Sequence, residues 1–135
     1  MAVLMAGENQ NARVVPGNVV LLVDDDPAIR SSLKFALELE GFDVRTFAGP
    51  EDILAADLPS RGCIVVDYYL PGQDGLELLG KLKARHVSLP AILITTNPAD
   101  NVRRRASSAG VAIIEKPLLS NALSDAVRES LARGA

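Results

Sequence analysis

Acidic, hydroxyl and amine side chains stand directly after apolar runs at four places in the sequence. Asp24 and Asp25 follow VVLLV, and Asp67 follows IVV. Thr95 follows ILI, and Lys116 stands two residues after the apolar pair II. Such a set can bind a divalent cation and a phosphoryl group together, because the cation and the amine neutralise phosphoryl oxygens while the hydroxyl donates a hydrogen bond. We therefore take these five residues as the candidate functional residues.

The carboxylates favour a hard cation. Two unit charges about 5 Å apart at an effective dielectric constant of ~20 repel each other by roughly 3 kcal/mol, so converging aspartates require a counter-ion. Oxygen ligands of this kind suit Mg²⁺, or another divalent cation such as Mn²⁺, better than Zn²⁺. The sequence has one histidine, His86, and one cysteine, Cys63, so it contains no Cys/His zinc motif. With a metal bound, one aspartate could act as the nucleophile toward a phosphoryl group.

The elements that must position these residues follow from an alternation of apolar runs with segments of helical periodicity. Strands are predicted over 19–23, 44–47, 64–66, 91–94 and 111–114, and helices over 27–40, 50–56, 75–85, 100–109 and 119–132. A βα alternation repeated five times gives an α/β fold with a doubly wound parallel sheet, whose ligand site lies outside the carboxyl ends of the strands. The candidate residues all stand at those ends, so we expect them to converge.

Two features of the helices can also be predicted. Asp26 caps the first helix, which begins at Pro27 and ends at Gly41. On the first helix, the residues that follow the helical period are Ile29, Leu33, Ala36, Leu37 and Glu40. On the third helix, Leu76, Leu79 and Leu82 are predicted to face inward, and on the last helix Leu123, Val127 and Leu131 are spaced four apart.

The 135 residues, 48% hydrophobic with a formal net charge of −3, have the size of one globular domain. A net negative charge argues against nucleic-acid binding, and the arginines at 103–105 are interpreted as a solvated helix face. No apolar run reaches the ~18 residues of a membrane span, and no export signal is evident. Cys63 suits a buried position in a reducing compartment. We expect a cytoplasmic protein with a flexible lead-in over 1–17 and one domain over 18–133.

The segments LLVDDDPAIR, VVDYYLPGQDG, ILITT and IIEKP resemble, in order and spacing, those of the receiver domain of bacterial two-component response regulators. The resemblance extends over about residues 17–133. It implies the flavodoxin-like receiver fold, with five parallel strands in the order 2-1-3-4-5 and five helices. It also implies a domain that accepts a phosphoryl group from a histidine kinase or a histidine phosphotransfer protein. The domain then switches conformation to control a partner or an output domain.

The resemblance implies roles for the candidate residues. Asp67 is the phosphoacceptor, Thr95 the switch hydroxyl and Lys116 the phosphate-binding amine. The residues that hold Mg²⁺ are Asp24, Asp25, Asp67 and, through its backbone carbonyl, Tyr69. A cis peptide bond before Pro117 is implied as well. A homodimer that forms on phosphorylation is an option that the resemblance leaves open, as is the nature of the output partner.

The sequence departs from the receiver pattern near the fifth strand. Ile113 stands three residues before the lysine, where receivers commonly have Tyr or Phe, and the segment from Thr95 to Lys116 is about one residue short. Thr96 replaces a residue that is usually smaller. These changes leave the acceptor residues in place and affect the route by which the signal leaves the site.

Two other functions fit parts of the pattern. An aspartyl phosphatase commonly has a second aspartate two residues after its nucleophile as general acid and base, but here that residue is Tyr69, whose phenol is too weak an acid. We therefore predict no enzyme activity beyond the domain's own phosphorylation and dephosphorylation. The alternative is a receiver-like interaction domain that works without phosphorylation, against which the complete set of candidate residues argues.

Overall fold

The structure, a computed structural model, describes residues 18–116 and 121–134. Its main sheet has five parallel strands: β1 (Val19–Val23), β2 (Asp43–Phe47), β3 (Cys63–Asp67), β4 (Ala91–Thr95) and β5 (Ala112–Glu115). Their order across the sheet is β2-β1-β3-β4-β5. The predicted α/β class, strand number and strand order are therefore confirmed, and each predicted strand boundary is within one residue of the observed one.

Five helices cover the two faces of the sheet: α1 (Pro27–Leu39), α2 (Pro50–Ala55), α3 (Gly75–Ala84), α4 (Asp100–Ala109) and α5 (Ala122–Gly134). Successive side chains of a strand point to opposite faces. Leu21 of β1 accordingly shares a core with residues of α2, α3 and α4, whereas Leu22 shares a second core with residues of α1 and α5. The sheet is thus doubly wound, with one apolar core on each face. The carboxyl ends of its strands, where the candidate residues stand, lie at one edge of these two cores.

The start and end of α1 match the sequence prediction. Oδ1 of Asp26 accepts hydrogen bonds from the amides of Ala28 at 2.9 Å and Ile29 at 3.2 Å, ahead of Pro27 at the first helical position. After the helix, Gly41 has a φ of 96°, a left-handed conformation that favours glycine. The Asp26 cap lies directly beside the candidate site and fixes where the helix begins.

The predicted helix faces are wrong in some positions. On α1, Ala36 and Glu40 are exposed, because the stripe that faces the sheet is narrower than the helical period suggested. On α3, Leu78 is fully buried although it was not predicted to be, and Leu79 is only half-buried. The first turn of this helix also approaches the sheet closely at Gly75, a contact that periodicity does not indicate.

A short hairpin that the sequence reading missed follows β3. Tyr69–Leu70 pairs in antiparallel register with Gln73–Asp74. Gly72, at the turn, has a φ of 81°. Strands of two residues are too short to show a hydrophobic period. The hairpin shapes the segment that leads from Asp67 to α3.

Some sequence predictions fall outside the described residues. These are the lead-in over 1–17, the predicted first residues of the last helix at 119–120, and the cis bond between Lys116 and Pro117. Across 18–116 and 121–134, no helix combines the length and the apolar character that crossing a membrane requires.

Candidate functional site

The candidate site lies at the carboxyl ends of the strands, at the point where the strand order reverses. β1 has β2 on one side and β3 on the other, so the connections leave in opposite directions and open a crevice. Asp24 directly follows β1, and Asp67 is the last residue of β3. These residues are only 1% and 7% exposed. Carboxylates buried side by side require a cation or hydrogen-bond donors.

Three carboxylates meet in this crevice. One oxygen each from Asp24, Asp25 and Asp67 lies within 4.8 Å of the other two, and Asp25 is exposed to solvent. Oxygens bound to one Mg²⁺ at 2.0–2.1 Å are about 2.9 Å apart when adjacent and about 4.2 Å apart when opposite, so carboxylate oxygens up to 4.8 Å apart would have to move closer together to bind the ion directly. The all-oxygen donor set and this spacing fit a hard divalent cation.

Backbone and arginine contacts hold Asp24 in place. The amide of Asp26 donates to Oδ1 of Asp24 at 2.9 Å, and Nη1 of Arg30 donates to the Asp24 carbonyl at 2.7 Å. Burial raises the pKa of Asp24, the hydrogen bond from Asp26 lowers it, and the charge of Asp67 raises it further. Sequence reading did not select Arg30; the available signal was its position one helical turn after Asp26.

Asp67 has a cation at one carboxylate oxygen and a backbone donor at the other. Nζ of Lys116 lies 3.4 Å from Oδ2, and the amide of Tyr69 donates to Oδ1 at 3.2 Å. The Lys116 side chain is 25% exposed, so solvent screens this pair only partly. These are contacts that an ionised carboxylate makes. The ionised form is also the nucleophilic one.

Gly75 supports the strand end at Asp67 and was also missed by sequence reading. Its amide donates to the carbonyl of Tyr68 at 2.8 Å. The backbone of Gly75 approaches that of Asp67 so closely that a side chain would collide with it. The glycine at the head of a predicted helix was the available signal, because glycine in that place otherwise weakens a helix.

Thr95 ends β4 beside this cluster. It is 1% exposed, and among the described residues its Oγ1 has no hydrogen-bond partner. A buried hydroxyl without a partner costs about 1–3 kcal/mol, so a bound oxygen acceptor would relieve a standing penalty. The amide of Lys116 donates to the Thr95 carbonyl at 2.9 Å. The Thr95 hydroxyl and the Lys116 amine therefore belong to residues that are neighbours at the carboxyl ends of β4 and β5.

The structure places the remaining sequence candidates as follows. The Tyr69 side chain is 65% exposed, and its backbone amide, rather than its carbonyl, contacts Asp67. A ligand role for the Tyr69 carbonyl stays a prediction. Ile113 lies in β5, half-buried, and packs against the core on the face covered by α4. The structure thus brings Asp24, Asp25, Asp67 and Lys116 together, with Thr95 at the end of the next strand.

Comparisons with known proteins agree with this geometry. A family model described as the response regulator receiver domain matches residues 20–128. The transcriptional regulatory protein FixJ of Azorhizobium caulinodans is 41% identical over 118 residues, which is 86% of this chain and 56% of FixJ. The C4-dicarboxylate transport transcriptional regulatory protein DctD of Pseudomonas aeruginosa is 40% identical over 114 residues, which is 83% of this chain and 25% of DctD.

A solved structure shows the same likeness. The CheY-like response regulator receiver domain protein of Methanospirillum hungatei JF-1 matches with a TM-score of 0.77 and 30% identity, over 86% of this chain and 94% of that one. The chain therefore spans about half the length of FixJ and a quarter of the length of DctD, but most of an isolated receiver domain.

Proposed function

The chain belongs to the response regulator receiver domain family of two-component systems, and we propose that Asp67 is the residue on which it accepts a phosphoryl group. The observation that carries this proposal is the position of Asp67 at the end of β3. Its carboxylate lies within reach of two further carboxylates and of the Lys116 amine. Asp24 is more deeply buried, and Asp25 follows the strand end by two residues, so Asp67 is the best-placed nucleophile.

Each neighbour of Asp67 has a separate part in the transfer. An Asp67 oxygen attacks phosphorus and forms a P–O bond, while the bond to the donor breaks and its electron pair stays on the donor atom. The Lys116 amine neutralises charge on the phosphoryl oxygens, and the Thr95 hydroxyl, which has no hydrogen-bond partner within 18–116 and 121–134, donates to one of them. Mg²⁺, or Mn²⁺ in its place, would supply further charge neutralisation when held by Asp24, Asp25, Asp67 and the Tyr69 carbonyl.

The donors and targets follow from family membership. We propose a sensor histidine kinase or a histidine phosphotransfer protein as donor, because a phosphorylated imidazole has a leaving nitrogen that accepts the electron pair. A partner or an output domain would read the phosphorylated state, since FixJ and DctD extend well beyond the matched region. We also propose a cytoplasmic location, where ATP is available to the kinase as its phosphoryl donor. We propose no enzyme activity beyond the domain's own phosphorylation and dephosphorylation.

The test is the intact mass of the protein after incubation with Mg²⁺ and acetyl phosphate. We expect a gain of ~80 Da, the mass of one phosphoryl group, and its loss in EDTA or after Asp67→Asn. Asp57→Asn is the matched control, because it removes the same charge at an exposed residue in the loop that precedes β3, whereas Asp67 stands at the opposite end of that strand. A wild-type protein without this gain would instead favour an interaction domain that works without phosphorylation.

A further inference from the structure

Helix α4 is held to the rest of the domain by few apolar contacts. Val102 and Ala106 are its buried residues, out of ten in the helix. Its N-cap residue is Ala99, which provides no side-chain hydrogen bond to the first turn. Helix stability in proteins comes mainly from packing of an apolar face. Other contacts must therefore contribute to the position of α4.

One such contact joins α4 to the segment that follows the phosphoacceptor. Nη2 of Arg105 lies 3.2 and 3.3 Å from the two carboxylate oxygens of Asp74. Asp74 is the N-cap of α3 and accepts a hydrogen bond from the Glu77 amide at 2.8 Å, so its carboxylate is fixed in direction. Desolvation lowers the pKa of Arg105, but hydrogen bonding to Asp74 and the charge of Asp74, with a smaller contribution from Tyr68, outweigh it, so the pKa is raised. Arg105 thus contacts the N-cap residue of α3, which the hairpin links to Asp67.

A second contact joins α4 to β5. Nη2 of Arg103 lies 3.0 Å from Oε2 of Glu115, the last residue of β5. Glu115 directly precedes Lys116, whose amine pairs with Asp67. The arginine between these two, Arg104, is exposed and makes no ion pair with any residue in 18–116 or 121–134. Arg103 thus forms an ion pair with the end of β5, and Arg105 forms one with the N-cap of α3. Arg104, between them, is exposed to solvent.

We propose that Arg103 and Arg105 form a two-sided clamp that couples the position of α4 to the state of Asp67. The clamp is defined as the contacts Arg103–Glu115 and Arg105–Asp74. This inference rests on the proposed phosphoacceptor role of Asp67. Each contact ends on a backbone segment that carries a site residue: Lys116 follows Glu115 directly, and the hairpin leads from Asp67 to Asp74.

The clamp explains how a signal can leave the site although Ile113 replaces the usual aromatic. Ile113 has no ring to reorient and is stiff at its first side-chain torsion. A phosphoryl group on Asp67 would bind the Lys116 amine and would change the surroundings of the carboxylate to which the Tyr69 amide now donates, so we expect both anchoring segments to adjust. Ion pairs of this exposed kind change a local opening equilibrium by about two- to fivefold each. Contacts this weak can be shifted by one modification.

The experiment is amide hydrogen exchange of the full chain, read on peptides that cover α4, with and without beryllofluoride and Mg²⁺ as the phosphoryl mimic. The variants are Arg103→Gln, Arg105→Gln and their combination, with Arg104→Gln as the control of equal charge on the same helix. The mass gain with acetyl phosphate is measured on the same samples. Without the mimic, Arg103→Gln and Arg105→Gln should each raise α4 exchange about two- to fivefold, and Arg104→Gln should not.

With the mimic, wild-type α4 should exchange faster, and the double variant should lose most of that response while it still gains the phosphoryl mass. The clamp is refuted if Arg104→Gln matches the other variants, or if the double variant keeps the full α4 response. The clamp is also refuted if the wild-type protein gains the phosphoryl mass but the amide exchange of α4 does not change with the mimic. Absence of the mass gain would overturn the phosphoacceptor role instead, and the exchange rates without the mimic would still decide whether the arginines hold α4.

Discussion

Gly75 lies directly behind Asp67, so that a Cβ atom on Gly75 would stand 2.6 Å from the Asp67 carbonyl oxygen. The same atom would be 2.9 Å from Cδ1 of Leu93 in β4. A backbone oxygen cannot retreat as the end of a flexible side chain can. The first turn of α3 therefore sets the position of the proposed phosphoacceptor. This packing requires a residue without a side chain at position 75.

We predict that Gly75→Ala lowers the free energy of unfolding by about 1–3 kcal/mol, because overpacking displaces the end of β3. It should also slow phosphorylation of Asp67. Gly80→Ala is the control on the same helix, since a Cβ there meets no atom within 4 Å. That change should stabilise by about 0.5–1 kcal/mol through helix propensity. Urea unfolding of both variants checks the pair, and equal effects would contradict a steric role for Gly75.

Metal dependence provides a prediction for Asp25. Asp25→Asn should abolish Mg²⁺-dependent labelling of Asp67, because it removes the solvent-facing carboxylate of the cluster, the one we expect to bind the ion directly. Asp24, buried and hydrogen-bonded to the Asp26 amide, should act largely through water. Asp26→Asn is the matched control, since it removes the same charge one residue away and asparagine still caps α1. Labelling of the Asp25 variant at the wild-type rate would remove Asp25 from the ligand set.

The lifetime of the acyl phosphate should depend on Tyr69. This residue follows Asp67 by two positions, and its ring packs edge-on against that of Tyr68 with centroids 4.9 Å apart. We expect the ring to hinder the approach of water, which protects a reactive intermediate. Tyr69→Ser should therefore speed the decay of labelled protein several-fold, whereas Tyr69→Phe should not. Identical decay of the serine variant and the wild type would show that Tyr69 does not shield the site.

Cys63 provides a pH-dependent prediction. Burial raises the pKa of its thiol to about 12, and hydrogen bonding to Ser130 and the charge of Arg133 offset this only in part. The native thiol should therefore be inert toward a disulfide reagent at pH 8 and react only on unfolding. Because the folded pKa lies above the unfolded value of about 8.5, the free energy of unfolding should fall as the pH rises from there toward 12. Rapid labelling of native protein would contradict this burial.

Much of the fold could be predicted because the three central strands, β1, β3 and β4, are buried on both faces. Runs such as VVLLV and ILI have no polar interruption, and their ends marked the candidate site within one residue. The convergence of Asp24 and Asp67 followed from the parallel sheet alone, since carboxyl ends of parallel strands share one edge. Strand order, by contrast, came from resemblance to a family rather than from any local pattern.

Other features depend on contacts between residues distant in sequence. Arg105 and Asp74 are 31 positions apart, and nothing local identifies one as the partner of the other. The arginine run was predicted to be solvent-exposed, which it is, but its two ion pairs could not be predicted. The collision that excludes a side chain at Gly75 likewise exists only once β3, β4 and α3 are packed together.

The most direct test of the phosphoacceptor role is to locate the label within the chain. Protein labelled with acetyl phosphate and Mg²⁺ is reduced with borohydride, which converts an aspartyl phosphate to homoserine, and then digested and sequenced by tandem mass spectrometry. We predict homoserine at position 67, with Asp24, Asp25 and Asp26 unmodified. Homoserine at one of those aspartates, or a label that survives Asp67→Asn, would contradict the assignment of Asp67 as the phosphoacceptor.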